Sequence, residues 1–210
     1  MGAGILPITT HCGNVYVLLG QERYGNKWSD FGGSTNPGET FIKTALREGE
    51  EELNGILGSG THLANIVKNN YIAEINNGDR YSSFIFKIKY DNQLPNYFNN
   101  NNIFMENNFI NRLDNNNINY NGFFEKRKIK WFTLDEIEKD YSIFRPHYIP
   151  ILKRIVTNKY IFRDNIIQFK TTQQRTQRRQ LTQQLTQRRQ QTQQRTQQRT
   201  IKNIPCRVNE

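Results

Sequence analysis

Six side chains between residues 33 and 52 stand at intervals that could do chemistry: Gly33, Glu39, Arg47, Glu48, Glu51 and Glu52. Offsets of three and four residues would bring the carboxylates of Glu48, Glu51 and Glu52 to one side of a helix, where like charges repel unless something neutralises them. A divalent cation is the natural neutraliser. Hard oxygen donors select Mg²⁺ or Mn²⁺, and magnesium is usually held by one or two carboxylates together with waters and substrate phosphates. The pattern therefore points to metal-assisted chemistry on a phosphate compound.

The elements that must position these groups are a loop and then a helix. Pro37-Gly38 breaks the chain, and Thr40 or Glu39 can satisfy the amides of a first helical turn, so the helix is expected to start near Thr40. Ile42, Ala45, Leu46, Gly49 and Leu53 recur at helical offsets and predict one apolar stripe, with Glu48, Glu51 and Glu52 on the opposite side. Asn54-Gly55 supplies a left-handed helix end.

With those residues in place, the chain resembles the Nudix hydrolases. Their signature runs glycine, five residues, glutamate, seven residues, then Arg-Glu-apolar-any-Glu-Glu-any-Gly-apolar. Gly33, Glu39, Arg47, Glu48, Glu51 and Glu52 match; Gly49, Asn54 and Gly55 depart from it, and none of these three is a metal ligand. The resemblance implies hydrolysis of a pyrophosphate bond in a nucleoside diphosphate linked to another moiety, with Mg²⁺ or Mn²⁺. It makes Glu48 and Glu52 first-choice metal ligands and Glu51 a further ligand or the base. It leaves Arg47 to orient a box glutamate and Glu39 to bridge loop and helix. Glu125 and Glu106 compete with Glu51 as the base, because the family often takes its base from outside the box.

Around the box, residues 3–8, 15–22, 71–75, 81–90 and 128–133 read as strands, and residues 146–157 as a closing helix. Residues 131–137 resemble the strand-to-helix passage found late in Nudix domains. The fold class is α/β, a Nudix-type α/β/α sandwich with a mixed β-sheet and a low-complexity C-terminal tail. Residues 1–165 form the expected domain. Within it, residues 91–122 are an asparagine-rich insertion, too polar to pack and too long for an ordinary loop. It is either a tolerated low-complexity insert or a lid over substrate, with Tyr97, Phe98, Phe104 and Phe109 as the argument for a lid.

Residues 166–210 change composition to Thr, Gln and Arg. Residues 171–210 hold nine Lys or Arg and one acid, so +8 of the formal net charge of +10 belongs there. This tail lacks the apolar content to offset ordering entropy and is expected to stay disordered. Its arginines, Arg175, Arg178, Arg179, Arg188, Arg189, Arg195 and Arg199, suit electrostatic contact with RNA; the competing reading is a merely solvated repeat expansion. No aromatic follows Lys170, which excludes base stacking by the tail.

The favoured substrate is the 5′ cap of mRNA. Tyr24, Trp28 and Phe31 lie just before the box, where an aromatic could stack on a base, and the low-complexity style is similar to that of Nudix decapping enzymes of large DNA viruses. ADP-ribose, dinucleoside polyphosphates and diphosphoinositol polyphosphates are the alternatives, as is a regulatory or RNA-binding protein of Nudix fold. Cys12 and Cys206 are too few for a metal cluster, Gly2-Ala3-Gly4 precedes a strand instead of opening a dinucleotide-binding helix, and no run reaches 18 apolar residues. The expectation is an intracellular, cytoplasmic protein with no membrane partner.

Overall fold

The computed structural model describes residues 1–108 and 124–168, with helical residues at 182–184 and 186–187. Contacts divide the chain into two compact units, Met1–Ile166 and Ile167–Glu210. The tail arginines singled out above, together with Phe109 and Cys206, lie outside the described residues.

In the first unit, β1 (Gly2–His11) and β2 (Asn14–Glu22) form a hairpin in which His11 pairs with Asn14. Cys12 and Gly13 between them take φ of 46° and 79°, the two-residue turn whose twist matches the strands. β3 (Trp28–Ser29) and β4 (Phe31–Ser34) lead to α1 (Phe41–Glu52) and α2 (Gly60–Asn69). Then come β5 (Tyr71–Asn77), β6 (Tyr81–Lys87), α3 (Leu94–Asn108), β7 (Lys126–Thr133), α4 (Leu134–Lys139) and α5 (Ile149–Thr157), with residues 159–168 helical as well.

The sheet runs β3-β2-β1-β6-β5, with β4 paired to β1 and β7 to β2. β1 and β6 are parallel and the other pairs antiparallel, so the sheet is mixed. Alternation along β1 sends Ala3 and Ile5 into one core and Leu6 and Ile8 into the other. Ala45, Leu53, Leu63, Val67 and Phe98 from α1, α2 and α3 complete the first core. Ile137, Ile151, Leu152, Ile155, Phe162 and Ile166 close the second. This is the expected α/β/α sandwich. No helix among the described residues is long and apolar enough to cross a membrane.

The asparagine-rich insertion differs from expectation, since α3 is a packed helix. Phe98 is fully buried, and the polar side chains find backbone partners instead of water. Asn99 accepts from the Ile129 amide through Oδ1 at 2.9 Å and donates to the Ile129 carbonyl at 3.5 Å, as a neighbouring peptide would. Asn102 donates to the Lys126 carbonyl at 2.8 Å. Asparagine amides thus cover the edge of β7 that β2 leaves open, which answers the exposed-edge problem with side chains.

Candidate functional site

β4 delivers the box loop beside β1, with Ala3 opposite Gly33. A Cβ on Gly33 would lie 2.5 Å from the Glu48 carboxylate, so glycine is required there for α1 to approach the strand. Thr40 is the N-cap residue but makes no side-chain cap bond. Glu39 instead ties the loop to the helix, accepting from the Asn36 amide at 3.1 Å, Thr44 Oγ1 at 3.0 Å and Arg47 Nε at 3.1 Å. Hydrogen bonding from Arg47, before any other cause, holds the Glu39 carboxyl down at about 2.

Arg47 is the hub. Beyond Glu39, its Nη2 donates to the Ser34 carbonyl at 3.1 Å, and its Nη1 reaches Glu48 Oε1 at 2.7 Å and Glu51 Oε2 at 3.4 Å. The guanidinium therefore fixes loop, helix and two box carboxylates with one planar group.

The expected division of α1 does not hold at Glu52. The buried side carries Thr44, Ala45, Gly49 and Glu52, while Ile42 is 37% exposed. Glu52 accepts from the Gly32 amide at 2.7 Å and pairs with Lys126 Nζ at 3.2 Å. Burial raises its carboxyl well above the usual range, against the pull of Lys126. Glu52 sits at offset seven from Ala45, within the buried stripe, which is why it turns inward although Glu48 and Glu51 do not.

Glu125 immediately precedes β7, and its charge and that of Glu48 act on Glu51. Burial raises the Glu51 carboxyl, and the Glu48 and Glu125 charges add to it. Burial likewise raises Glu125, with Glu48 the next cause. Glu48 and Glu51 are hard oxygen donors of the kind Mg²⁺ or Mn²⁺ accepts together with waters and phosphates, while no group of three His, Cys, Asp or Glu side chains among the described residues is placed to hold a metal ion. The Glu106 carboxylate pairs with Arg23 at 2.9 Å.

Two aromatics expected at the substrate are core residues. Phe31 is fully buried in the core beneath α1, and Trp28 packs edge-on against Phe132 at 4.9 Å. Phe31 is wholly enclosed, and Trp28 is only 7% exposed, with Lys128 Nζ 5.9 Å over its ring. Tyr24 is 80% exposed and lines a cavity of about 290 Å³ with Arg23, Glu106, Phe124 and Arg127.

Sequence reasoning missed the polar core behind the box. Lys126 is fully buried and donates to Glu22 Oε1 at 2.5 Å and Ser29 Oγ at 2.9 Å, and Arg145 also reaches Glu22 at 3.2 Å. Asp30 accepts from Tyr81 Oη at 2.8 Å and Ser83 Oγ at 2.7 Å, and burial pushes its carboxyl up to about 6. The available signal was Gly20 inside a strand, since a Cβ there would lie 2.8 Å from Lys126 Cδ.

No protein-family model matches the chain, and no curated protein matches it. Among solved structures it is similar to a C. elegans Ap4A hydrolase binary complex, at 17% identity over 75% of this chain and 96% of that one, with a TM-score of 0.43. It is also similar to the Nudix hydrolase RenU of M. smegmatis, at 14% identity over 76% and 86% with a TM-score of 0.38. A third is the NUDIX domain of Shewanella oneidensis NrtR complexed with ADP ribose, at 11% identity over 76% and 86% with a TM-score of 0.41. Two of these three bear the Nudix name.

Proposed function

We propose that this chain is a divalent-metal-dependent pyrophosphohydrolase of the Nudix type, acting on a nucleoside diphosphate linked to another moiety. The observation that carries this reading is the Arg47 clamp, in which one guanidinium holds the Glu39, Glu48 and Glu51 carboxylates and the Ser34 carbonyl together between the loop and α1. Glu48 and Glu51, with waters and substrate phosphates, would supply oxygen ligands to Mg²⁺ or Mn²⁺, which when bound neutralises phosphate charge and lowers the pKa of water. Arg47 keeps Glu48 and Glu51 in place. Glu125, a carboxylate outside that ligand pair, takes the proton of the attacking water at a carboxylate oxygen. Tyr24, Arg127 and the paired Arg23 and Glu106 line a cavity near Glu125, where the exposed Tyr24 ring suits stacking on a base.

Within that class the favoured substrate is the 5′ cap of RNA, cleaved to a capped nucleoside diphosphate and a 5′-monophosphate RNA. The exposed Tyr24 and the +8 carried by residues 171–210 support it. The test incubates the full chain with Mg²⁺ or Mn²⁺ and, separately, capped RNA, ADP-ribose, a diadenosine polyphosphate and an inositol pyrophosphate, with products identified by mass. Metal-dependent cleavage of a P–O–P bond is expected, fastest with long capped RNA. Capped RNA left intact while ADP-ribose is split would move the substrate to nucleotide housecleaning; no turnover of any compound would leave a regulatory or RNA-binding protein.

A further inference from the structure

Formal charge divides the chain at the start of β7. Residues 1–125 hold nine Lys or Arg and thirteen acids, a net −4, whereas residues 126–170 hold eleven and five, a net +6. The basic character thus begins within the first unit, ahead of the tail. This stretch supplies β7, α4, α5 and the helical residues 159–168, which Ile137, Ile151, Leu152, Ile155, Phe162 and Ile166 pack onto the second core.

Cations over aromatic rings recur along it. Lys130 Nζ lies 4.4 Å from the centre of the Phe132 ring, and Lys153 Nζ 5.2 Å from that of Tyr141. Tyr160 has two, Lys159 Nζ at 5.7 Å and Arg163 Cζ at 5.2 Å, yet its side chain is 62% exposed. These three residues line a cavity of about 180 Å³, together with residues 13–15 of the β1–β2 hairpin and residues 133–135 where β7 passes into α4. Asp135 lines it too, and Asp164 stands 3.5 Å from Arg163, but Lys159 forms no ion pair among the described residues.

The cavity lies at the opposite end of β1 from the box. Ala3 pairs with Gly33 at one end and His11 with Asn14 at the other, about 26 Å apart at the rise of a strand. A small nucleotide held at the box cannot reach it, whereas a polymer can. An exposed ring flanked by cations is the arrangement that takes a base on the ring and phosphates on the cations. The tail has no aromatic of its own, so stacking has to come from the domain, and Tyr160 stands just ahead of the tail in sequence.

We propose that Tyr160, Lys159 and Arg163 form a second site that holds single-stranded RNA, with a base on the Tyr160 ring and flanking phosphates on Lys159 and Arg163. For the role of that strand this rests on the capped-RNA reading above: the box cleaves the cap while this site holds the RNA body.

The test is fluorescence anisotropy of the full chain with a labelled single-stranded RNA over a range of salt, with thermal unfolding as a check on each variant. Tyr160→Ala should weaken binding about tenfold and leave the salt dependence unchanged, while Tyr160→Phe stays within about twofold of wild type. Lys159→Gln combined with Arg163→Gln should make log affinity against log salt shallower by about 1.4, at about 0.7 per phosphate contact. Cleavage of small nucleotides should match wild type throughout, because none of these residues touches the box. RNA affinity unchanged by Tyr160→Ala overturns the proposal; if only the double variant then loses affinity, the basic stretch serves polyanions in general, an acidic protein among them. Wild type that binds no RNA removes this site and capped RNA together. RNA held through Tyr160 by a chain that cleaves none of the compounds named above supports the site and defeats the hydrolase reading alone.

Discussion

Glu39 touches no core, yet four hydrogen bonds converge on it, from Asn36, Thr44 and twice from Arg47. Replacing it with glutamine removes the charge on which Arg47 rests, at a cost on the order of 1–3 kcal/mol at neutral pH. Because the folded protein holds this carboxyl near 2 against an ordinary value of 4.5, its contribution is complete above about 4.5 and disappears as the pH falls towards 2. Urea unfolding of wild type and Glu39→Gln across that window should therefore converge at acid pH; parallel curves would show that Glu39 does not carry the effect. Lys126 has the opposite setting, deep and paired. Lys126→Met strands the Glu22 and Glu52 carboxylates and should destabilise by about 3–5 kcal/mol, read from the denaturant midpoint. Fixed spacing made Glu39, Arg47, Glu48 and Glu51 legible in the sequence. Lys126 was not, because in a strand rich in lysine and arginine nothing local marks the one whose partners, Glu22, Ser29 and Glu52, lie far off in sequence on β2, β3 and α1.

At the scale of elements, α1 shows both what a helical pattern reveals and where it falls short. The start near Thr40 and the left-handed end at Asn54-Gly55, with φ of 50° and 67°, follow from local chemistry. The buried side is shifted because Gly49 lets α1 sit directly on Ile5: a Cβ there would lie 2.3 Å from Ile5 Cδ1. Gly49→Ala gains about 1 kcal/mol of helix propensity but overpacks a closed core at about 1–3 kcal/mol, so a net loss of stability is expected. Adding Ile5→Val, which removes Cδ1, should recover part of that loss; a simple sum of two destabilisations would refute the contact as the cause. α2 and α3 escaped sequence reading for different reasons. α2 is only ten residues long behind a Gly-Ser-Gly stretch, and α3 packs through asparagine amides that a hydrophobic pattern ignores. Asn102 joins the two ends of the site, since Asn54 beyond the end of α1 donates to its Oδ1 at 2.6 Å while it donates to the Lys126 carbonyl. Asn102→Ala should cost about 1–3 kcal/mol, measured by equilibrium unfolding, because it leaves that buried carbonyl without its donor.

For the whole molecule, charge separates two kinds of work. Residues 1–170 carry only +2 and contain every residue of the candidate site, while residues 171–210 carry +8 and lie almost wholly outside the described residues. A pyrophosphate bond in a small nucleotide needs the carboxylates, Arg47 and the bordering cavity, all within the first unit. A long RNA offers phosphates well beyond any site of that size, and clustered arginines gain affinity for it by displacing condensed counterions. Deleting residues 171–210 should therefore leave ADP-ribose or diadenosine polyphosphate turnover unchanged, weaken binding to long RNA, and flatten its dependence on salt. Fluorescence anisotropy with a labelled RNA, repeated from low to physiological ionic strength, measures both quantities on the same samples. Equal affinity with and without the tail, or binding through the tail that ignores salt, would make the arginine repeat a solvated appendage and remove one of the supports for capped RNA as substrate.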